Sequence, residues 1–264
     1  MPTTSIGDAD LYYEETGQGP PLMLVPGLGG QGSFWISQVP AFSRDFRTVV
    51  HDHRGTGRSS HSRITYSVEQ MADDVLRLMD ALSLDSAHLV AHSTGGAIGQ
   101  VIALEHPERL RSLVLSATWA GPDPYFRRVF ESRRQTLVDS GIEAYLRASS
   151  LFQATPWWIS QNDEFLTDLH RLQAAAAAPQ EVLLSRIDAI LRHDRRLRLL
   201  EIRLPTLVIV AQDDMITPRF YSDELASRIP GAKLIVLETG GHYAPVTNAA
   251  PYNAAVGSFL RSVR

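Results

Sequence analysis

The sequence predicts an α/β fold: a mostly parallel sheet flanked by helices, with an all-helical segment inserted into it. Three observations carry that expectation. Leu22-Met23-Leu24-Val25, residues 87–91 and Leu113-Val114-Leu115 are short apolar runs of the kind that form strands covered on both faces. Stretches with apolar residues at helical spacing separate them, and strand–helix alternation implies right-handed crossovers between parallel strands. The alternation stops after Ala117 and resumes at Thr206.

Taken in order, residues 3–6 and 11–15 flank the turn-rich Gly7-Asp8-Ala9-Asp10 and read as a hairpin. Gly17-Gln18-Gly19-Pro20-Pro21 breaks the pattern before the 22–25 strand. That strand ends in Pro26-Gly27-Leu28-Gly29-Gly30. Residues 48–51 form the next strand. A helix follows over about 68–82, because Val68, Met71, Val75, Leu78, Met79 and Leu82 make one apolar stripe. Ser67 and Gln70 stand at capping-box spacing at its start. After the 87–91 strand, Ile98, Val101, Ile102 and Leu104 continue as a helix that stops before Pro107. Between Trp119 and Arg203 there are amphipathic segments and no good strand. Residues 174–178 read as a helix end closed by Pro179. Strands return at 206–210 and 233–237, and a last helix covers 252–261. The expected organisation is a core of residues 1–118 and 204–264 with a helical cap of residues 119–203, together one structural unit.

Composition narrows the function. The 264 residues carry a formal charge of −4, with 44% hydrophobic and 20% charged residues. Such a chain folds around a sizeable core and is not disordered. It lacks the basic patch that nucleic-acid binding needs. It has no apolar run of about 18 residues, so no membrane span is expected. Met1-Pro2-Thr3-Thr4-Ser5 lacks the basic and apolar regions of a signal peptide, and a cytoplasmic protein is expected. The absence of cysteine excludes disulfides and thiolate chemistry. A homodimer through the cap or an edge strand is compatible with the sequence.

Ala91-His92-Ser93-Thr94-Gly95 lies between a strand and a helix. It is a G-x-S-x-G nucleophile elbow with alanine at the first position. A serine on so sharp a turn needs small residues two places before and after it. Its hydroxyl then stands above the sheet, at the positive end of the helix. A serine needs a base, and His242 follows the last strand in Glu238-Thr239-Gly240-Gly241-His242. The base needs an orienting carboxylate. Asp214, four residues before Pro218, has the expected spacing, and Asp213 is its adjacent competitor. The order Ser93, Asp214, His242 is that of the α/β-hydrolase triad. Backbone N–H groups of Thr94 and Leu28 are the expected oxyanion donors, with Gly27, Gly29 and Gly30 admitting a close approach. His51 and His53 flank Asp52, but no second ligand cluster accompanies them. A strand-end role is expected, with no metal and no cofactor.

With these motifs in place, the chain resembles the α/β-hydrolase superfamily over essentially its whole length. Pro26-Gly27-Leu28-Gly29-Gly30, the elbow and Gly240-Gly241-His242 carry the resemblance. So does Asp52-His53-Arg54-Gly55-Thr56-Gly57-Arg58-Ser59, whose implied role is to shape a loop beside the elbow. More narrowly, the chain is similar to RutD-like hydrolases of pyrimidine breakdown and to 3-oxoadipate enol-lactonases. The RutD-like marks run from Gly27 to Trp35, from Arg127 to Phe130 and from Ser149 to Trp158. Ala91 departs from the usual elbow glycine but is small enough for the turn. A serine at 93 argues against the relatives that use an aspartate nucleophile.

The resemblance implies a serine hydrolase of small molecules acting on an ester, lactone, amide or carbamate through an acyl-enzyme. An enol-lactonase and a carbon–carbon bond hydrolase stay open. So does a ligand-sensing or partner-binding protein, because fold does not settle function. Trp119, Tyr125, Phe152, Trp157 and Trp158 are candidate pocket walls, with cap packing as the alternative for each. The cap is rich in arginine. Arg186, among Val182, Leu183, Ile187 and Ile190, is nominated to bind a substrate carboxylate.

Overall fold

Pleated strands present alternate residues to opposite faces, and here both faces are covered. Met23, Val25, Leu89, Ala91, Leu113, Leu115 and Val208 belong to one apolar cluster, with residues of the helices on that side. Their neighbours Leu22, Leu24, Val90, Val114, Leu207 and Ile209 belong to a second cluster with Trp35, Phe42, Tyr252, Val256 and Phe259. This is why the strands read as uninterrupted apolar runs.

The structure is a computed structural model that describes residues 2–263. Among these residues eight strands form one sheet. In chain order they are β1 (Thr3–Ser5), β2 (Asp10–Thr16), β3 (Pro21–Val25), β4 (Arg47–His51), β5 (Ala87–His92), β6 (Leu110–Ser116), β7 (Thr206–Ala211) and β8 (Lys233–Leu237). Their spatial order is β1-β2-β4-β3-β5-β6-β7-β8. β1 and β2 form the expected hairpin, and β2 pairs antiparallel with β4. The other pairings are parallel. β5 therefore lies inside the sheet, and the reversal of strand order beside β3 opens a crevice at its carboxyl end.

The helices are α1 (Val39–Phe42), α2 (Val68–Ala81), α3 (Thr94–Glu105), α4 (Pro124–Gln153), α5 (Pro156–Gln161), α6 (Asp163–Ala175), α7 (Gln180–Arg192), α8 (Arg219–Arg228), α9 (Ala244–Thr247) and α10 (Ala249–Ser262). Ser67 caps α2 by accepting the Gln70 N–H at 3.0 Å. The reciprocal half of the capping box is absent, because the Gln70 side chain donates to Asp74 instead. The last helix begins three residues before its expected start and includes Pro251, which the first turn of a helix tolerates.

Between β6 and β7 the described residues form α4–α7 and no strand. Asp123 caps α4 through the Phe126 N–H (2.8 Å), and Gly141, at φ +76°, breaks that helix into two arms. Phe126, Val129, Phe130, Val182, Ile187 and Ile190 join the same apolar cluster as one face of the sheet.

Candidate active site

β5 ends at His92 and the chain turns sharply into α3 at Ser93, whose backbone takes φ 54°, ψ −117°. Holding a non-glycine residue in so sparse a region costs on the order of 1–3 kcal/mol. Neighbouring bonds hold it. The Ser93 N–H donates to the Ser116 carbonyl (2.8 Å), and Thr118 Oγ1 donates to the Ser93 carbonyl (2.8 Å). The turn is so tight that a Cβ on Gly95 would lie 2.3 Å from the Val25 oxygen. The serine is thus raised at the carboxyl edge of the sheet, beside the N-terminus of α3.

His242 follows β8 and Asp214 follows β7. His242 Nδ1 lies 2.9 Å from Asp214 Oδ2 and 3.1 Å from Oδ1. Asp214 also accepts the N–H groups of Ile216 (2.8 Å) and Thr217 (2.9 Å) and the Thr217 hydroxyl (2.9 Å). Burial opposes ionisation of Asp214. The His242 charge, its hydrogen bond and the Thr217 and Ile216 N–H groups outweigh burial and hold the carboxyl below its ordinary range. With a carboxylate accepting at Nδ1, that nitrogen carries a proton, and Nε2 is the ring nitrogen left to exchange one. The competitor Asp213 is used differently. It accepts the Thr239 hydroxyl (2.6 Å) and the Gly241 N–H (2.8 Å), fastening the loop that carries His242.

Ser93 and His242 line one cavity of about 260 Å³. No hydrogen bond joins Ser93 Oγ to the His242 ring in this structure, and such bonds often form only with substrate present. Leu28, Gly29 and Gly30 line the same cavity. The N–H groups of Leu28 and Thr94 bond no protein acceptor among the described residues. His92, before the serine, is buried between Phe34 (ring centroids 4.7 Å) and His242 (4.8 Å). Burial, then the His242 charge, keeps it neutral.

The helical segment supplies the facing wall through Phe130, Arg133, Gln153, Trp158, Phe165 and Leu166. A smaller space of about 90 Å³ shares Arg133, Gln153, Gln173 and Tyr243 with the first. Arg133 is buried. Its Nε donates to Ser149 Oγ (3.1 Å) and its Nη2 to the Tyr145 hydroxyl (2.8 Å). No carboxylate pairs with it among the described residues. Burial pushes the Tyr243 phenol up to about 12, opposed by the nearby Arg133, so it keeps its proton at neutral pH. The Tyr243 N–H donates to the Gln153 carbonyl (2.8 Å), tying the loop of His242 to the end of α4.

The family model for the α/β hydrolase fold matches residues 20–249 of the chain. The chain belongs to the α/β-hydrolase fold family. Within it, the chain is 41% identical to a Caulobacter vibrioides protein named RutD, whose name proposes carbamate hydrolysis. That match covers 98% of this chain and 99% of the relative. A RutD from Azorhizobium caulinodans is also 41% identical, over 92% and 91% of the two chains. Among solved structures, the enol-lactonase of Burkholderia xenovorans superposes with a TM-score of 0.91 at 28% identity. It covers 98% of this chain and 100% of its own.

Of the five candidate pocket walls and the nominated carboxylate-binding arginine, Trp158 alone lines the cavity. Trp119 is fully buried against Phe126 (4.4 Å). The Tyr125 hydroxyl donates to the Met215 carbonyl (2.5 Å). Phe152 packs against the core, and Trp157 is 48% exposed. Arg186 is buried outside the cavity lining, where it bonds the Arg54 and Leu28 carbonyls. Helical spacing marks an inward face, and most of that interior is packing. The sequence reading holds Arg133 only as one of the cap arginines and assigns no pocket role to Tyr243, Phe34 or His92. Arg133 had a signal: it falls on the α4 stripe of Phe126, Val129, Phe130 and Leu137, all buried.

Proposed function

We propose that this α/β hydrolase is a serine hydrolase of small acyl compounds, with residues 119–203 acting as a cap over the core. The observation that carries the reading is a strained serine and a carboxylate-held histidine opening on one cavity beside unpaired N–H donors. Substrate binds with its carbonyl oxygen toward Leu28 and Thr94. His242 Nε2 takes the Ser93 proton as the hydroxyl attacks, and Asp214 stabilises the imidazolium. The leaving group departs with that proton. Water then cleaves the acyl-enzyme by the same steps reversed. The names of the relatives support a carbamate or a lactone among the bonds such a site can cleave.

Arg133 takes the role first sought at Arg186. A buried guanidinium bonded only to two hydroxyls favours a substrate that carries its own carboxylate. The test compares p-nitrophenyl hemisuccinate with p-nitrophenyl butyrate. Ser93→Ala should abolish sustained turnover of both. Arg133→Met should lower kcat/KM about 10–100-fold on the acidic ester and little on the neutral one, the scale of a charged hydrogen bond. Full turnover in Ser93→Ala would overturn the serine mechanism. Equal losses on both esters would overturn the role of Arg133.

A further inference from the structure

We infer that Arg186 of α7 is a positioning residue that locks the Leu28–Gly29 peptide in the orientation an oxyanion hole requires. The inference rests on the serine-hydrolase reading for its catalytic consequence, and on geometry alone for the lock itself.

Arg186 is fully buried, yet no carboxylate pairs with it among the described residues. Its partners are neutral. Nη1 donates to the Arg54 carbonyl (2.9 Å). Nη2 donates to the Leu28 carbonyl (3.1 Å) and to His53 Nδ1 (3.1 Å). A guanidinium can only donate, so His53 Nδ1 is the acceptor and this ring is neutral. Burial, then the charge of Arg186, holds His53 well below its ordinary value, in agreement. Burying an uncompensated guanidinium is expensive. Val182, Ile187 and Ile190 around it show that a leucine would suit this stripe. The charge joins the loops that follow the neighbouring strands β3 and β4.

The held carbonyl has a special place. Gly30 N–H donates to the Gly27 carbonyl (3.0 Å), closing a four-residue turn in which Leu28 and Gly29 are central. The peptide between them can rotate as a unit without breaking that closing bond, which converts one β-turn type into another. The rotated form needs a positive φ at the third residue. Gly29 can adopt it freely, and nothing lies within 4 Å of a Cβ built there. In this structure Gly29 is not in the positive-φ region. Local sequence thus leaves both states open, and the Arg186 bond to the Leu28 oxygen selects one.

That choice decides the sign of the field over the serine. In a trans peptide the C=O and N–H point opposite ways. With the Leu28 oxygen drawn to Arg186, the Gly29 N–H of the same peptide points away from the guanidinium, and Gly29 lines the cavity. After rotation, the Leu28 oxygen would turn toward the cavity and set a repelling acceptor beside the oxyanion that the Leu28 and Thr94 N–H groups hold. Because Arg186 sits on a helix of the cap, correct seating of α7 sets the orientation of a loop at the end of β3.

The experiment uses Arg186→Met, which keeps the volume and removes the donors, and Arg186→Lys, which keeps the charge. On p-nitrophenyl acetate, kcat per folded enzyme should fall about 10–100-fold in Arg186→Met with KM within about twofold, approaching the loss of one oxyanion donor. The apparent pKa of the kcat/KM profile should not move, because Asp214 and His242 are untouched. A trifluoromethyl ketone, which becomes an oxyanion on Ser93, should lose affinity far more than the matching methyl ketone. A merely structural role would weaken both alike. Adding Gly29→Ala to either variant penalises positive φ and should restore kcat at least threefold. It also keeps the test alive if Arg186→Met folds poorly. Unchanged kcat in Arg186→Met beside an inactive Ser93→Ala overturns the lock's catalytic role and leaves the serine mechanism standing. Full turnover in Ser93→Ala overturns the serine mechanism. A crystal structure of Arg186→Met then decides the lock, and Gly29 still outside positive φ would overturn it.

Discussion

The two walls of the cavity are made by different rules. On the sheet side, Ser93, Asp214 and His242 sit at the ends of β5, β7 and β8, and parallel register places those ends together. On the helical side, Arg133, Gln153 and Trp158 project from three turns of two helices, in a 30-residue helix broken at Gly141 and its short successor. A strand end is a position that backbone hydrogen bonds dictate. A side chain on a helix can reach several destinations, and local packing chooses among them. Under the proposed mechanism, the difference puts the reacting groups on the rigid frame and the discriminating groups on the adjustable one.

The largest expected effect tests that frame at two adjacent carboxylates. Asp214→Asn should lower kcat about 10⁴-fold by imposing the wrong imidazole tautomer. Asp213→Asn, which loses only a loop fastening, should cost about tenfold or less. Equal losses in steady-state assays would mean that loop position, not the carboxylate at Nδ1, sets the rate.

Acid should then separate the two regions by stability. Burial pushes His51, on β4, and His193, just after α7, down to about 4 each. Each is neutral in the folded state, and the unfolded chain protonates near 6.5. The unfolded state therefore binds more protons between those values. The stabilisation is complete above about pH 6.5 and is lost as pH falls toward 4, by about 3 kcal/mol per group. His51→Phe should flatten the pH dependence of global unfolding in urea. His193→Phe should do the same only if the helical segment unfolds with the sheet. A flattening confined to hydrogen exchange in α4–α7 would show that the two regions open separately.

The smallest effects lie on the helical wall. Trp158→Ala should raise KM severalfold for a bulky acyl ester, whereas Trp157→Ala should stay within about 0.5 kcal/mol in stability and twofold in activity. Reversed outcomes would place α5 differently against the cavity.

The same division explains what was legible in the sequence. Residues 22–25, 87–91 and 206–210 read as strands because burial on both faces leaves short, mostly apolar runs, and their length separates them from helices. The positions of Ser93, Asp214 and His242 followed, since the motifs at the strand ends carry their own spacing. Even the choice of Asp214 over Asp213 had a spacing argument, and the carboxylate at His242 Nδ1 agrees with it. In the helical segment, apolar neighbours at helical spacing mark Arg186 as inward, and it is buried. Spacing could not say that Arg186 meets main-chain carbonyls, nor residue type that Trp119 packs against Phe126. Arg133 satisfied the same periodicity and went unselected, because a stripe does not reveal which of its members lies beside empty space.

The backbone at Ser93 has one more consequence. Glycine enters positive-φ conformations freely, so a chain shaped only to resist heat would carry glycine there. Ser93→Gly should melt a few degrees above the parent, the equivalent of about 1 kcal/mol in a chain of this size, while losing all turnover. The distance between the two melting curves is a thermometer reading of selection: what the fold has surrendered in endurance to keep one hydroxyl aloft.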